Sequence, residues 1–544
     1  IHGSSQAPSS YFANCCSFLV AVPLKMSEWC AGRAAASAKS LLSDLPTKPQ
    51  KILIMVNGSR GDIQPYVAFG MGLKNKGYIV GMLLPENLKA FAEDAGLQSF
   101  GALPDVEEII KNNKSIFESM NQGDTMKYLK GLGENAAEFK EHLVRNCVAT
   151  FEEFKPDLVV MGTLMFYWRM LAAYKWKIPT MMVLLQGIIY DPKRMCLGLP
   201  TLPFGLHRYL LWYSIVGGVY DGFKVLDDEA KKQWGYGVCD IKTRNDYIED
   251  YKTPPLPIYI AQSPLFTEIL CPCAHAQYEF SGSCIIPSET QQSSPSNFGT
   301  TQQLEKFIAA GKKPVYCGWG SMTCQSPEYM AELVVRALMH CKQRAIVLGG
   351  WANLSIECLK RATQDDLLLK YAEENVLFVE KAPHEWLFPR VACTVHHGGV
   401  GTTTAAMRAG IPTIITPVWL DQYDHAYLVN ELGVGIGFNK QFQKTTATEL
   451  GDAIASVLGS PSIVAKAKDV AAKLCAENGV QAAVQGVEKY WADIVLSGKY
   501  QSHVEETIQT KPSGLTWCSC FEGARQKSSS GKSVDDELSV YVAV

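Results

Sequence analysis

The stretch Val395–Pro417, VHHGGVGTTTAAMRAGIPTIITP, sets two histidines and three closely spaced glycines ahead of a helix-like segment. Ala392 to Val395 read as the end of a buried strand, Gly401 or Thr402 to Gly410 as a short helix, and IPTIITP as a second strand. The free N–H groups at such a helix start, with the helix dipole behind them, favour an anion by ~0.3–1 kcal/mol, and up to ~2 when partly buried. Gly398, Gly399 and Gly401 would let the backbone approach a ligand closely. Thr402 and Thr403 can add hydroxyl donors, and a histidine adds a side-chain donor, with positive charge if protonated. That chemistry suits a diphosphate. Strand alternation separates the two histidines: His397, beside the turn, is expected to meet the ligand and His396 to be structural. The glycines do not follow GxGxxG and no acidic residue stands at the ribose-reading distance, so a nicotinamide cofactor is not expected.

Three further turns end strands in the same way. CGWGSM places Gly320 and Ser321 after an apolar run, and TPVWLDQ opens a helix with Asp421 and Gln422. A carboxylate beside an amide suits vicinal sugar hydroxyls, although Asp421 is equally readable as an ordinary N-cap. NGSRGDIQP puts Ser59, Arg60 and Asp62 behind the strand KILIMV. Arg60 could meet a phosphate or a carboxylate. Asp62 could act as a general base if burial or a close hydroxyl raised its basicity, or could simply cap the following helix.

These turns need a scaffold, and the chain's pattern supplies one. Strand-like and helix-like segments alternate from residue 51, lose their period around 271–302, and alternate again from KPVYCGWGS onward. The expected fold is α/β, with two Rossmann-like domains built on mostly parallel sheets and facing across a cleft. The expected division is a disordered leader at 1–48, an N-terminal Rossmann-like domain at 49–270, a Ser/Gln/Pro/Thr-rich linker at 271–302 and a C-terminal Rossmann-like domain at 303–475. A helix at 476–500 would pack back on the N-terminal domain, and 501–544 would form a disordered tail. The helix behind KILIMV is expected from Gln64 to Lys76, with Pro65 in its first turn.

Composition narrows the function classes. With 544 residues, 47% hydrophobic, 19% charged and a net charge of −3, the chain has the make-up of a multidomain globular protein and no basic field for nucleic acid. Seventeen scattered cysteines suit a reducing compartment, hence a cytoplasmic placement. Cys271, Cys273, His275 and Cys284 match no common zinc spacing, so no metal is expected there. Residues 1–25 lack the basic start of a signal peptide and are read as a leader ahead of Met26. No uninterrupted apolar run reaches spanning length, although Tyr209–Tyr220 could form a membrane-facing or substrate-facing lip and is otherwise a core helix. Cys518 and Cys520 could carry a lipid, but an unmodified tail is expected.

Taken together, GSRGDIQPYVAFGMGLKNKGY, KPVYCGWGSM, APHEWLFPRVACTVHHGGVGTTTAAMRAGIPT and the DQ pair resemble the nucleotide-sugar glycosyltransferases of the GT-B fold, most of all the sterol 3-β-glucosyltransferase group. The resemblance runs over most of 51–440 and is loosest between about 100 and 300. It implies UDP-glucose or a close UDP-sugar as co-substrate, with no other cofactor and no metal. It also implies that the Ala382 backbone meets the uracil, that His384 lies beside the donor, and that His397, Gly401 and Thr402 hold the diphosphate. Asp421 and Gln422 would hold the sugar, with Ser59, Arg60 and the presumed base Asp62 opposite them. Val400 departs from the small residue usual at that position, and the residues after Gln422 depart from the usual continuation. The implied reaction is inverting transfer of glucose, or a related hexose, to a hydroxyl of a hydrophobic acceptor such as a sterol, with peripheral membrane contact as one route to it. A nucleotide-sugar-binding protein without catalysis and a non-hydrolysing epimerase are the alternatives.

Overall fold

The computed structural model describes residues 45–509, apart from 123–124, 163–164, 188–202, 236, 271–276 and 294–297. Two parallel sheets carry the chain. The first holds β1 (Lys51–Met55), β2 (Ile79–Pro85), β3 (Gln98–Leu103), β4 (Leu158–Met161), β5 (Thr180–Leu184), β6 (Ile258–Ile260) and β7 (Tyr278–Phe280) in the order 3-2-1-4-5-6-7. The second holds β8 (Val315–Gly318), β9 (Ala345–Leu348), β10 (Val376–Val379), β11 (Thr394–His396), β12 (Thr413–Ile415) and β13 (Gly435–Gly437) in the order 10-9-8-11-12-13. Their central strands, such as Leu158–Met161 and Val315–Gly318, are buried throughout, which explains the unbroken apolar runs. In each sheet the strand order reverses at one place, between β1 and β4 and between β8 and β11. Ligands of doubly wound sheets bind outside the carboxyl ends at that switch point. Asp62 follows β1, Gly320 and Ser321 follow β8, and His397 follows β11. The expected two-domain α/β architecture is the one observed.

Four expectations change. The helix behind β1 runs Arg60–Asn75, four residues earlier than the sequence suggests, because Ser59 and Asp62 form a capping box ahead of Pro65. Pro65 therefore sits inside the helix, and its ring nitrogen cannot donate to the Gly61 carbonyl. The segment read as a 271–302 linker contains β7, whose short, polar-flanked run is too brief to show a period but pairs with β6 as an edge strand. Its far end opens the helix Phe298–Ala309, which belongs to the second domain through the fully buried Leu304. The stretch read as a tail from 501 begins inside the helix Lys499–Gln509, where Tyr500 and Val504 are buried. At the other end of the chain, Pro46, within the expected leader, accepts a hydrogen bond from Trp491 Nε1 at 3.1 Å. Cys271, Cys273, His275, Cys518 and Cys520 lie outside the described residues, and Cys284 is a buried free thiol.

The C-terminal helices return to the first domain. Val480, on the helix Gly479–Tyr490, packs where only a glycine at position 72 leaves room: a β-carbon there would lie 2.4 Å from its Cγ1. Tyr490 donates its hydroxyl to the Thr180 carbonyl at 2.7 Å, and Lys489 pairs with Glu279 of β7 at 2.9 Å. Among the described residues no helix is long and apolar enough to cross a membrane; Tyr209–Tyr220 forms part of the helix His207–Trp234.

Candidate active site

The two domains meet at the carboxyl ends of their sheets. The helix Val400–Arg408, with Gly399 as its N-cap, points its first turn at the helix Arg60–Asn75: a β-carbon on Gly401 would lie 3.7 Å from the Gly61 carbonyl oxygen. That carbonyl is the one Pro65 leaves without its helical donor. Val400 is half-buried against a hydrophobic cluster that holds residues of both domains. Gly401 is exposed and Thr402 half-buried at the mouth of the cleft, while Thr403 turns its hydroxyl back to the Gly399 carbonyl at 2.9 Å. Thr403 thus braces the helix start rather than offering its donor to a ligand.

On the first domain, Asp62 Oδ2 accepts from the Ser59 N–H at 2.8 Å and from the Ser59 hydroxyl at 2.9 Å. Oδ1 takes neither of these bonds. Gly58 makes room for the carboxylate: with φ +129°, it would put a β-carbon 2.6 Å from Oδ2 if substituted. Burial raises the Asp62 pKa above its ordinary value, with the Ser59 bonds opposing the rise. Capping residue and candidate base are therefore the same side chain. Arg60 stacks over the Phe91 ring at 4.7 Å, and burial, then the Arg60 charge, lower the His384 pKa to about 4.

On the second domain, His384 opens a one-turn helix, its Nε2 3.0 Å from the Tyr316 hydroxyl and its ring stacked on Phe388. Ala382 lies just before it, half-buried beyond the end of β10. Ser321 sits half-buried in the turn closed by the Met322 N–H on the Trp319 carbonyl at 2.9 Å. His397 stands over the helix start, its Nε2 2.5 Å from where a β-carbon on Gly399 would be. Its Nδ1 is buried with no hydrogen-bond partner among the described residues. Burial, then His384 and His425, push its pKa down to about 4, so the ring is neutral at pH 7. His397 therefore offers a diphosphate a neutral N–H, not a cation.

Two residues hold the glycine turn from opposite sides. The Gly398 N–H donates to His396 Nδ1 at 3.0 Å, and His425 Nδ1 meets the Gly398 carbonyl at 2.7 Å. His396 is wholly buried, as the alternation of β11 predicts for a structural residue. His425 belongs to none of the sequence motifs. Its signal is its place one helical turn after Asp421, on the face of Gln422–Leu432 that turns toward β11.

The DQ pair divides its work. Gln422 is almost wholly buried; its Oε1 accepts from the Val418 and Trp419 N–H groups at 2.7 and 3.2 Å, and its Nε2 reaches Met322 Sδ. It braces the loop that carries Asp421. Asp421 makes no capping bond, so it is not an ordinary N-cap. Its carboxyl instead faces the first domain, where it is coupled electrostatically to the Gln186 side chain beyond the end of β5. Burial, then Asp424 and Asp62, raise its pKa to about 7. Two carboxyl groups, Asp62 and Asp421, thus stand on opposite walls of one cleft, close enough to feel each other's charge. Among the described residues no group of three or more His, Cys, Asp or Glu is placed to hold a metal ion.

Comparison with known proteins fits this geometry. Residues 52–182 match the glycosyltransferase family 28 N-terminal domain, and residues 347–489 match the C-terminal domain of erythromycin biosynthesis protein CIII-like proteins. Each half of the chain thus resembles a glycosyltransferase domain, and the two together have the GT-B fold. The chain shares this fold with the glycosyltransferase of kitacinnamycin (TM-score 0.55, 18% identity, covering 82% of this chain and 99% of that one) and with the calicheamicin glycosyltransferase CalG4 (TM-score 0.55, 16% identity, 82% and 99%). Curated GT-B relatives include the sterol 3-beta-glucosyltransferases of Saccharomyces cerevisiae (26% identity, 81% of this chain, 35% of the relative) and Komagataella phaffii (27%, 80% and 34%). That of Arabidopsis thaliana is 27% identical over 87% of this chain and 70% of its own length. The chain spans about a third of the length of the two fungal relatives.

Proposed function

We propose that the protein is an inverting UDP-sugar glycosyltransferase that moves glucose, or a related hexose, to a hydroxyl of a hydrophobic acceptor of the sterol class. The observation that carries this reading is the placement of Asp62 opposite a glycine-rich helix start and Asp421, on the two walls of one cleft. The names of the curated relatives support the sterol acceptor and glucose. In the proposed reaction, Asp62 takes the proton of the acceptor hydroxyl as that oxygen bonds to the anomeric carbon. The bond from the anomeric carbon to the diphosphate breaks on the opposite face, and UDP leaves with the electron pair. Burial makes Asp62 a stronger base than a carboxylate in water.

The leaving diphosphate is met by the N-terminus of Val400–Arg408, the Thr402 hydroxyl and the neutral His397 donor, while Ala382 and His384 border the base and Asp421 takes sugar hydroxyls. Ser59 holds the base, and Arg60 and Ser321 border the donor. The chemistry so described requires no cofactor and no metal. The buried free thiols Cys147, Cys317 and Cys393 support a reducing, cytoplasmic setting. Peripheral membrane contact belongs to the same proposal, through the tip that exposes Phe204 (95%) and Leu206 (45%) ahead of His207–Trp234.

The test is Asp62→Ala. Transfer from UDP-glucose to a sterol, followed by mass spectrometry, should be abolished while UDP binding by calorimetry stays near wild type. Transfer at the wild-type rate would remove Asp62 from its role.

A further inference from the structure

A second cavity lies away from the cleft, inside the first domain. It has a volume of about 40 Å³ and is walled by the helix Phe166–Met170 and the turn that follows it, by β5 and β6, by the helix Arg244–Lys252 and by the C-terminal helix Lys499–Gln509. None of the cleft residues lines it. A space of that size holds roughly two or three waters or one small ion.

Its charges do not balance. The charged residues on its walls are Arg169, Lys242 and Asp250. Lys242, only 5% exposed, pairs with Asp250 and leans on the Tyr174 hydroxyl. That pair is complete, which leaves Arg169 as a surplus positive charge. Among the described residues its guanidinium has no hydrogen-bond or ion-pair partner, and arginine cannot shed its proton. The Tyr247 hydroxyl is also without a partner among the described residues, although the residue is 7% exposed and its ring is fixed edge-on against Phe166 and Phe223. His503, across the cavity, is kept neutral at pH 7 because burial, then Lys242 and Arg169, push its pKa down to about 4. A neutral imidazole carries one N–H to donate. A half-buried surplus cation and two neutral donors around a small, aromatic-walled space favour an acceptor with negative charge, because a charge drawn partly out of water gains most from an ionised partner.

We propose that this cavity binds one small oxyanion of the phosphate class, held by the Arg169 guanidinium with the Tyr247 hydroxyl and the His503 N–H. Such an anion would tie the helix Lys499–Gln509 to the first domain and so stabilise the return of the chain's C-terminal segment. It can be free phosphate or the head of a phosphorylated lipid, and the proposal stands independently of the transferase reading.

The test is the melting temperature of the full chain in inorganic phosphate or butyl phosphate, against chloride at equal ionic strength. Ligand that binds only the folded state raises the midpoint with concentration. Both compounds should do so in wild type, and Arg169→Gln and Tyr247→Phe should each shift the half-effect to at least tenfold higher concentration. Tyr247→Phe removes one oxygen from a packed ring, so it remains informative if the arginine variant folds poorly. His397→Ala, which removes a phosphate donor from the cleft, should keep the full effect. Equal potency of the two compounds identifies the head alone as the ligand, and a much stronger effect of butyl phosphate identifies a lipid source. No rise with either compound, or a rise that survives both cavity variants and disappears in His397→Ala, overturns the proposal.

Discussion

Asp62 and His397 show how a residue's chemistry is set by its neighbours. Asp62 is made more basic by burial, and it is oriented because Ser59 holds one of its oxygens. His397 is neutral for the same reason of burial. His397→Ala should therefore weaken UDP binding by removing a hydrogen bond to a charged group, ~1.5–3 kcal/mol or roughly 10- to 100-fold in Kd. The loss should be constant between pH 6 and 8, since a ring with pKa about 4 does not titrate there. Calorimetric titration of UDP at several pH values checks both points. Asp421 behaves oppositely. In the folded protein it keeps its proton up to about pH 7, whereas the unfolded chain releases it near the ordinary carboxyl value of ~3.9. The folded state thus binds more protons, and this residue makes stability fall as pH rises from about 4 to 7. Asp421→Asn should be more stable than wild type by ~2–4 kcal/mol above pH 7, with the difference shrinking toward zero near pH 4. Urea unfolding across that range measures it.

The glycine turn is the element on which the site depends. It joins β11 to Val400–Arg408 and is gripped by His396 on one side and His425 on the other. Gly398 has φ +99°, and a β-carbon there would lie 2.7 Å from Ile415 Cγ2. Gly398→Ala should thus cost ~1–3 kcal/mol in strain and displace the helix start, lowering both the melting temperature and UDP affinity. The turn and its glycines were legible in the sequence, because φ > 0 and close approach are local needs that few residues meet. His425 was not, because its role comes from a helix that packs on the turn from 27 residues away. The bracing by Gln422 was not legible for a related reason: the backbone N–H groups it satisfies belong to a loop that also packs on Met322 and Trp319, about 100 residues away.

At the scale of the molecule, the last helices hold the first domain from behind. Trp491 is 1% exposed and ties its indole N–H to Pro46, while Tyr490 reaches Thr180. Trp491→Ala should cost ~3–5 kcal/mol of stability, measured by the denaturant midpoint. The cost should fall on the first domain, leaving the second domain's transition in place if the two unfold separately. The cleft itself is a property of the pair of domains. Gly401 faces Gly61, Asp421 feels the charge of Asp62, and His384 feels that of Arg60, each pair more than 300 positions apart.

The sequence by itself determined the two parallel sheets, the turns that carry Asp62, His397 and Asp421, and the chemistry those turns could perform. These follow from periodicity, glycine placement and side-chain type, all of which are local. The protonation of His397 and Asp421, the bracing role of Gln422, the His396–Gly398–His425 clamp and the edge strand Tyr278–Phe280 were decided only in the tertiary structure. So was the cavity that brings Arg169, Tyr247 and His503 together. Desolvation, charge–charge coupling and strand pairing depend on atoms brought together from distant parts of the chain, and no spacing within one segment encodes them.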